Sequence, residues 1–431
     1  MEIPILNLKA QYDKIQNEIE KVVLDVLRSG HYVLGPNVNA FEKEAAEFLG
    51  AKHAIGCANG SDALHVALRA LDVGPGDEVI TTAFTFVATA EAITQTGASP
   101  VFADIDLDTY NIDPLDIEKK ITNKTKAIIV VHLYGQACDM DAIMALAKKH
   151  NLKVIEDTAQ AFGTQYYKKG SLPGKLSDAR LASPKEAELT NVSMMIPKDE
   201  RNNADETLQV GFAGTIGDIG THSFYPTKNL SCAGDGGMLT TNSDELAERL
   251  RRIRAHGSSR RYYHDEFGVN SRLDEVQAAI LRIKLNYIQE WNEARAKIAA
   301  KYTEALKAAA NAEFKIIPPA ITNGTHIFHQ YTIRIELASS KDLNEHAKLR
   351  DLIRDTLKAS GIASEIYYPL PLHMQKLYLD LGHKEEGFYN SLLASKSILC
   401  LPIYPELSVE QVDYVCENLR KLATQKFTSL I

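Results

Sequence analysis

A solitary lysine stands where a strand pattern gives way to glycines. In GDIGTHSFYPTKNLSCAGDGGMLTT the apolar alternation ends at Ser223 and Phe224, a proline turn follows, and Lys228 comes just before GDGG. A lysine among small residues at a strand end can be stripped of water, which lowers its pKa and lets it condense with an aldehyde. The motif alone equally describes a solvated surface lysine. In VIEDTAQAFG an apolar strand runs directly into Glu156 and Asp157, with Gln160 one helical turn further on. A carboxylate there can cap the next helix, bind a metal, or pair with a buried cation such as a protonated pyridine nitrogen. No His or Cys cluster accompanies it to favour a metal. In CANGSDALHVAL, Gly60 and Ser61 lie between a strand and an amphipathic helix. Free amides, a hydroxyl and the helix dipole would cradle a phosphate there, although a plain serine cap fits as well. Phe86, in TTAFTFVATAEA, follows a strand, so its ring could stack on a flat ligand or belong to the core.

These residues need a scaffold that brings strand ends together. Between residues 53 and 161 short β-rich runs alternate with helical stretches: HAIGCA then SDALHVALRAL, DEVITTAF then TFVATAEAITQTG, SPVFADI then DPLDIEKKI, KAIIVVHLYG then MDAIMALAKKH, and LKVIED. The nearly continuous apolar runs IIVV and VIE suit strands buried on both faces, so a doubly wound, mostly parallel α/β sheet is expected. Ligands of such sheets sit beyond the carboxyl ends of the strands, where the four motifs fall. Residues 171–210 are polar, carry three prolines and read as an inserted surface excursion. A single long helix is expected after residue 274, with Val276, Ile280, Ile283, Tyr287 and Trp291 on one apolar face. Beyond Phe314 the pattern turns to α+β, with HIFHQYTIRIEL alternating as a strand. The expected organisation is a large domain over 1–270, including the 171–210 insertion, and a linking helix with a small C-terminal α+β domain over 271–431.

The order of the four motifs suits one site: phosphate cradle, stacking ring, acid for a pyridine nitrogen, reactive lysine. The words ANGSDAL, TFVATAEAI, EDTAQAFG, SFYPTKNL, GDGG and GVNSRLDEVQAAIL resemble the DegT/DnrJ/StrS sugar aminotransferases, pyridoxal 5'-phosphate enzymes of the aspartate aminotransferase fold type I. The likeness runs from LNLKAQYDKI to YYPLPLH and CLPIYPEL; the 171–210 insertion departs from it. The resemblance implies that Lys228 holds the cofactor and shuttles the proton, while Asp157 keeps the pyridine nitrogen protonated. It also implies that Gln160 bonds the ring hydroxyl, Phe86 stacks, and Gly60, Ser61 and Ser223 hold the phosphate. Such enzymes share sites across a homodimer, which would bring Asn270 of GVNSRLD to the phosphate of the neighbouring chain. Tyr225 would meet the sugar near the reacting carbon, and His329 and His373 could line the sugar pocket or be ordinary structural histidines. Glutamate is the implied amino donor, and Arg272, two residues from Asn270, is the expected grip on its carboxylate, with a plain salt bridge as the alternative.

Other classes fit less well. Related sugar dehydratases carry histidine in place of the lysine, and this chain keeps Lys228. Amino-acid aminotransferases commonly place an arginine after the lysine, where this chain has GDGG. A non-catalytic regulator would be expected to carry a basic DNA-binding domain, and the 431 residues leave no spare length for one. The net charge of −8 argues against nucleic acid as a partner. The beginning MEIPILNLKAQYDK does not read as a secretion signal, no run spans a membrane, and the five scattered cysteines suit a reducing cytoplasm. Within the resembled family, the loop HGSSRRYYHDEFGVNSRLDE points first to C-3 of a UDP-linked 2-acetamido-3-keto sugar. A dTDP-linked 3-keto-6-deoxyhexose or a 4-keto sugar comes second.

Overall fold

The computed structural model describes residues 1–168, 210–307, 311, 313–383, 387–422 and 424–427. The strands are β1 (His53–Cys57), β2 (Glu78–Thr82), β3 (Ser99–Ala103), β4 (Thr125–Val131), β5 (Lys153–Asp157), β6 (Gln165–Tyr167), β7 (Val210–Phe212), β8 (Ile219–Ser223) and β9 (Gly237–Thr241). They are followed by the pair β10 (Ser258–Arg260) and β11 (Tyr263–His264), then β12 (Phe314–Ile317), β13 (Tyr331–Leu337) and β14 (Ile398–Leu401). The N-terminal helices are α1 (Leu8–Ser29), α2 (Pro36–Leu49), α3 (Gly60–Ala70), α4 (Ala88–Gln95), α5 (Pro114–Lys120) and α6 (Met140–His150). Later come α7 (Asp244–Ile253), α8 (Glu275–Leu285), α9 (Ile288–Lys307), α10 (Leu343–Ala359), α11 (Tyr389–Ser397) and α12 (Val409–Leu422).

Seven strands form the large sheet in the order β1-β9-β8-β5-β4-β2-β3. The pairs β3–β2, β2–β4, β4–β5 and β5–β8 are parallel, and β9 runs against both of its neighbours. The doubly wound, mostly parallel sheet expected from the βα alternation is therefore present. Its centre is apolar on both faces: Ile129 and Ile155 join one buried cluster with α3, whereas Ile128, Val130 and Val154 join another with α6. Helices α1, α2 and α8 share a third cluster with Phe224 and Leu230, beside the lysine turn. The buried carboxylate of Glu275 accepts the Gly35 and Val38 amides at 3.1 Å each, and the Asn37 amide as well, which anchors the start of α2.

A three-stranded antiparallel sheet, β12-β13-β14, forms the second core with α10, α12 and the far half of α9. Ile3 belongs to this core too, bridging in parallel to Ile362. The single long helix expected after residue 274 is instead two. The amides of Asn286 and Tyr287 bond only three residues back, to Ile283 and Lys284, which tightens and ends α8. Tyr287 then stacks on Trp291 at 5.7 Å and 15° while α9 sets off towards the small sheet. The start of α9, with Ile288 and Trp291, still packs in the cluster of α8, and its far half, from Ile298, enters the second core. Of the expected insertion, residues 171–209 lie outside the described residues, and Val210 begins β7.

Candidate active site

Asp157 is the last residue of β5, in register with Val131 of β4 and Thr221 of β8. Its neighbour Glu156 fixes that strand end. Fully buried, Glu156 accepts the amides of Gly214 (2.9 Å), Ile216 (2.7 Å) and Gly217 (2.6 Å), and the Nε2–H of His132 at 2.9 Å. The imidazole is the donor because its Nδ1 accepts the Cys138 amide at 3.0 Å. Asp157 itself accepts Thr89 Oγ1–H at 2.9 Å and the Ala159 amide at 3.1 Å. Burial pushes its carboxyl above the usual range, opposed by those two donors and by the nearby charge of Lys228.

Lys228 follows the turn after β8, its amide bonded to the Tyr225 carbonyl at 2.8 Å. Burial pulls its amine down to about 8, and Asp157 works in the opposite direction. A lysine so placed is partly neutral near pH 8 and can act as a nucleophile or proton carrier there. Asn229, next in the chain, accepts from His329 Nδ1 at 3.0 Å and donates to Asn292 Oδ1 at 2.8 Å. His329 is buried, and burial together with Lys228 and Arg295 holds it well below its usual pKa. It is neutral, with Nε2 left as an acceptor.

Helix α3 starts against the end of β8. Asn59 caps it by accepting the Asp62 amide at 2.8 Å; the amides of Gly60 and Ser61, in its first turn, have no helical carbonyl to bond, and both residues border the cavity. Gly60 is required by contact: a Cβ there would come within 2.6 Å of the Ser223 Cβ. A phosphate seated at this end would meet two amides, two hydroxyls and the positive end of α3.

These groups line one cavity of about 570 Å³. Of the residues singled out from the sequence, Gly60, Ser61, Phe86, Asp157, Gln160, Ser223, Tyr225, Lys228 and His329 all border it. Phe86 and Tyr225 are 57% and 52% exposed at its rim. Gln160 sits deeper, its Oε1 accepting the Tyr134 amide at 2.7 Å and its Nε2 donating to the Tyr368 hydroxyl at 3.2 Å. His373 is elsewhere: the short turn after Pro371 directs its ring onto Phe388, stacked at 4.1 Å and 20°, so it does not line the pocket expected for it. Asn270 and Arg272 are also outside their own chain's cavity. Between them Ser271 is buried and its Oγ accepts the Ala58 amide at 3.1 Å, directly behind the start of α3. Thr89, Tyr368, Asn59, Asp235 and Arg295 line the cavity without having been picked out from the sequence. Thr89 and Tyr368 lie inside the words TFVATAEAI and YYPLPLH, which was the available signal.

The sequence model of the DegT/DnrJ/EryC1/StrS aminotransferase family matches residues 13–185 and 199–420. The chain belongs to that family. Relatives in it include a pleiotropic regulatory protein of Geobacillus stearothermophilus, 46% identical, with 97% of this chain and 98% of that one covered. A UDP-N-acetyl-3-dehydro-alpha-D-glucosamine 3-aminotransferase of Acidithiobacillus ferrooxidans is 39% identical, with 97% of each covered. A dTDP-3-amino-3,6-dideoxy-alpha-D-galactopyranose transaminase of Aneurinibacillus thermoaerophilus is 41% identical, covering 97% and 99%. Among solved structures, S. venezuelae DesV in complex with a ketimine intermediate superposes with a TM-score of 0.83 at 36% identity, over 99% of each chain. The ntda protein of Bacillus subtilis with bound cofactor pmp gives 0.80 at 29% identity, over 98% of this chain and 86% of that one. The large sheet with a small C-terminal sheet is thus the fold of aminotransferases in this family.

Proposed function

We propose that this aminotransferase moves an amino group from glutamate to a nucleotide-linked keto sugar, with pyridoxal 5'-phosphate held at Lys228. The observation that carries the reading is the convergence in one cavity of a desolvated lysine, a buried strand-end aspartate and a helix start opened by Gly60. That donor set fits this cofactor at both ends: anion donors for a phosphate at α3, and a carboxylate for a ring nitrogen at Asp157. Bound there, the cofactor supplies a carbonyl that carries the amino group and a ring that withdraws electrons from the reacting carbon.

The protein's own contributions follow from its geometry. Lys228 Nζ is the amine that would hold the cofactor and, once released, would move a proton between the substrate carbon and the cofactor's carbonyl carbon in each half-reaction. Asp157, fixed by Thr89 and the Ala159 amide, keeps a proton on the ring nitrogen. Gln160 Nε2 and Tyr368 close the side of the site next to it. Phe86 covers a ring face, and Tyr225 stands at the rim, where a sugar would enter. Asn270 is exposed on a segment pinned behind α3 and does not border its own chain's cavity, which supports a homodimer in which it reaches the partner's phosphate.

For the acceptor, C-3 of a UDP-linked 2-acetamido-3-keto sugar ranks first. The relative from Acidithiobacillus supports it, as does the loop over residues 256–275. The transaminase from Aneurinibacillus supports a dTDP-linked 3-keto-6-deoxyhexose as the second reading. Purified enzyme converted to its pyridoxamine form and offered a panel of nucleotide keto sugars should regain the absorbance of the aldehyde form with a UDP-linked 3-keto sugar first. Return with dTDP sugars alone would establish the second reading. No return with any keto sugar would refute the sugar acceptor.

A further inference from the structure

Arg295 is a buried guanidinium with no carboxylate beside it among the described residues. It is 3% exposed on α9, one turn after the Asn292 that accepts from Asn229. Its Nη1 donates to the carbonyls of Ile403 at 2.7 Å and Phe328 at 3.4 Å, and its Nε is buried with no partner among the described residues. Among the described residues no acidic side chain makes an ion pair with it, and Glu406 acts on it only at longer range. Burial itself drives Glu406 towards its neutral form. Carbonyl dipoles do not neutralise a whole charge, and an unpaired cation in the interior is costly. The guanidinium is accordingly destabilised by burial, down to about 10. Such a group is accounted for when an anion comes to meet it.

Its position says which anion. Arg295 lines the same cavity as Lys228, as do its neighbours His329 and Ile403. The chain of contacts from it to the reactive amine is short. Arg295 bonds the Phe328 carbonyl, His329 follows Phe328 and bonds Asn229, and Asn229 follows Lys228. An amino acid reacting at Lys228 carries a carboxylate on the very carbon that bears its amine, so a compact anion must lie close to that point. A nucleotide diphosphate, bulkier and more highly charged, belongs near the exposed rim with Phe86 and Tyr225.

We propose that Arg295 is the seat for the carboxylate of the amino-acid donor, gripped by the free side of its planar fork. This rests on the aminotransferase reading given above. It replaces Arg272, the expected grip, with a residue of the same chain that is already in the cavity.

The test uses the cofactor-loaded enzyme and separates the two half-reactions by absorbance. In Arg295→Gln, kcat/KM with L-glutamate should fall about 100-fold, mostly through KM, while the half-reaction with keto sugar changes less than about threefold. Succinate, an unreactive dicarboxylate, should raise the melting temperature of the wild-type holoenzyme and have no such effect on this variant. Arg295→Lys keeps the charge and can still reach the carbonyls, which guards against a folding defect. It should lose about tenfold in the glutamate half-reaction alone. Equal losses in both half-reactions, a loss confined to the keto-sugar half, or a glutamate defect in Arg272→Lys but not in the Arg295 variants would overturn the proposal. Wild-type enzyme inert to glutamate and every other amino acid would instead overturn the functional reading on which the proposal stands.

Discussion

The amine of Lys228 feels two opposing influences, and their balance is measurable. Burial disfavours its charged form, Asp157 favours it, and the result is a pKa lowered to about 8. Only the neutral amine attacks a carbonyl, so the rate at which cofactor-free protein captures pyridoxal phosphate should rise with pH and level off above about pH 9. An ordinary lysine would keep gaining past pH 10. Because Asp157 holds the proton on, Asp157→Asn should move the midpoint of capture downward; an unmoved or raised midpoint would mean the two groups are not coupled. The same substitution tests Asp157 in turnover. It removes the charge at nearly constant shape, and a loss of about 3 kcal/mol in activation free energy, roughly 150-fold in kcat, is expected from the weakened ring. Near-normal turnover would leave Asp157 as a cap for the Ala159 amide and nothing else.

At the scale of elements, the site depends on how closely α3 approaches β8. Gly60 has no side chain because Ser223 occupies its place, and Gly60→Ala would force a Cβ to 2.6 Å from the Ser223 Cβ. Helix start and strand end must then part, widening the phosphate cradle. Cofactor affinity, followed by absorbance titration, should fall about 10–100-fold, with little change in melting temperature of the cofactor-free protein. An unchanged affinity would show that the phosphate does not use this approach. The strands, α3 and the motif residues were legible in the sequence because each is a local pattern, an apolar run or a glycine before a helix, although the cap of α3 is Asn59 and not the serine expected there. What escaped is what depends on distant pairing. Thr89 matters through Asp157, Tyr368 through Gln160, and Arg295 through the walls around it, and no periodicity encodes those meetings. The break between α8 and α9 escaped as well. The apolar spacing from Val276 to Trp291 continues smoothly, and both sides of the break pack in one cluster, so no change of pattern marks the end at Leu285.

At the scale of the whole molecule, the outer surface shows apolar groups that a lone chain leaves in water. Leu24 and Leu27 of α1 and the following Tyr32, Val33 and Leu34 are exposed, and Tyr262, Tyr263 and Phe267 stand out around the β10–β11 pair, the last at 88% exposure. Asn270 lies just beyond that pair, on the segment whose Ser271 is tied to Ala58. In the proposed homodimer these faces are covered by the second copy, and each cavity is completed by the other chain's Asn270. The arrangement makes a specific demand. Lys228→Ala leaves a chain with no reactive amine, and Asn270→Ala leaves one that cannot complete its neighbour's phosphate site, so each homodimer should be strongly impaired. In a mixed dimer both defects fall on the same cavity, since the lysine-deficient chain's site also receives the defective Asn270. The other cavity has its own Lys228 and an intact Asn270 from its partner. Random mixing puts half of all dimers in the hybrid form with one sound site each, so about a quarter of wild-type activity should return. Activity that stays at the level of the separate variants, after subunit exchange has been demonstrated with differently tagged chains, would mean that each site is built from one chain.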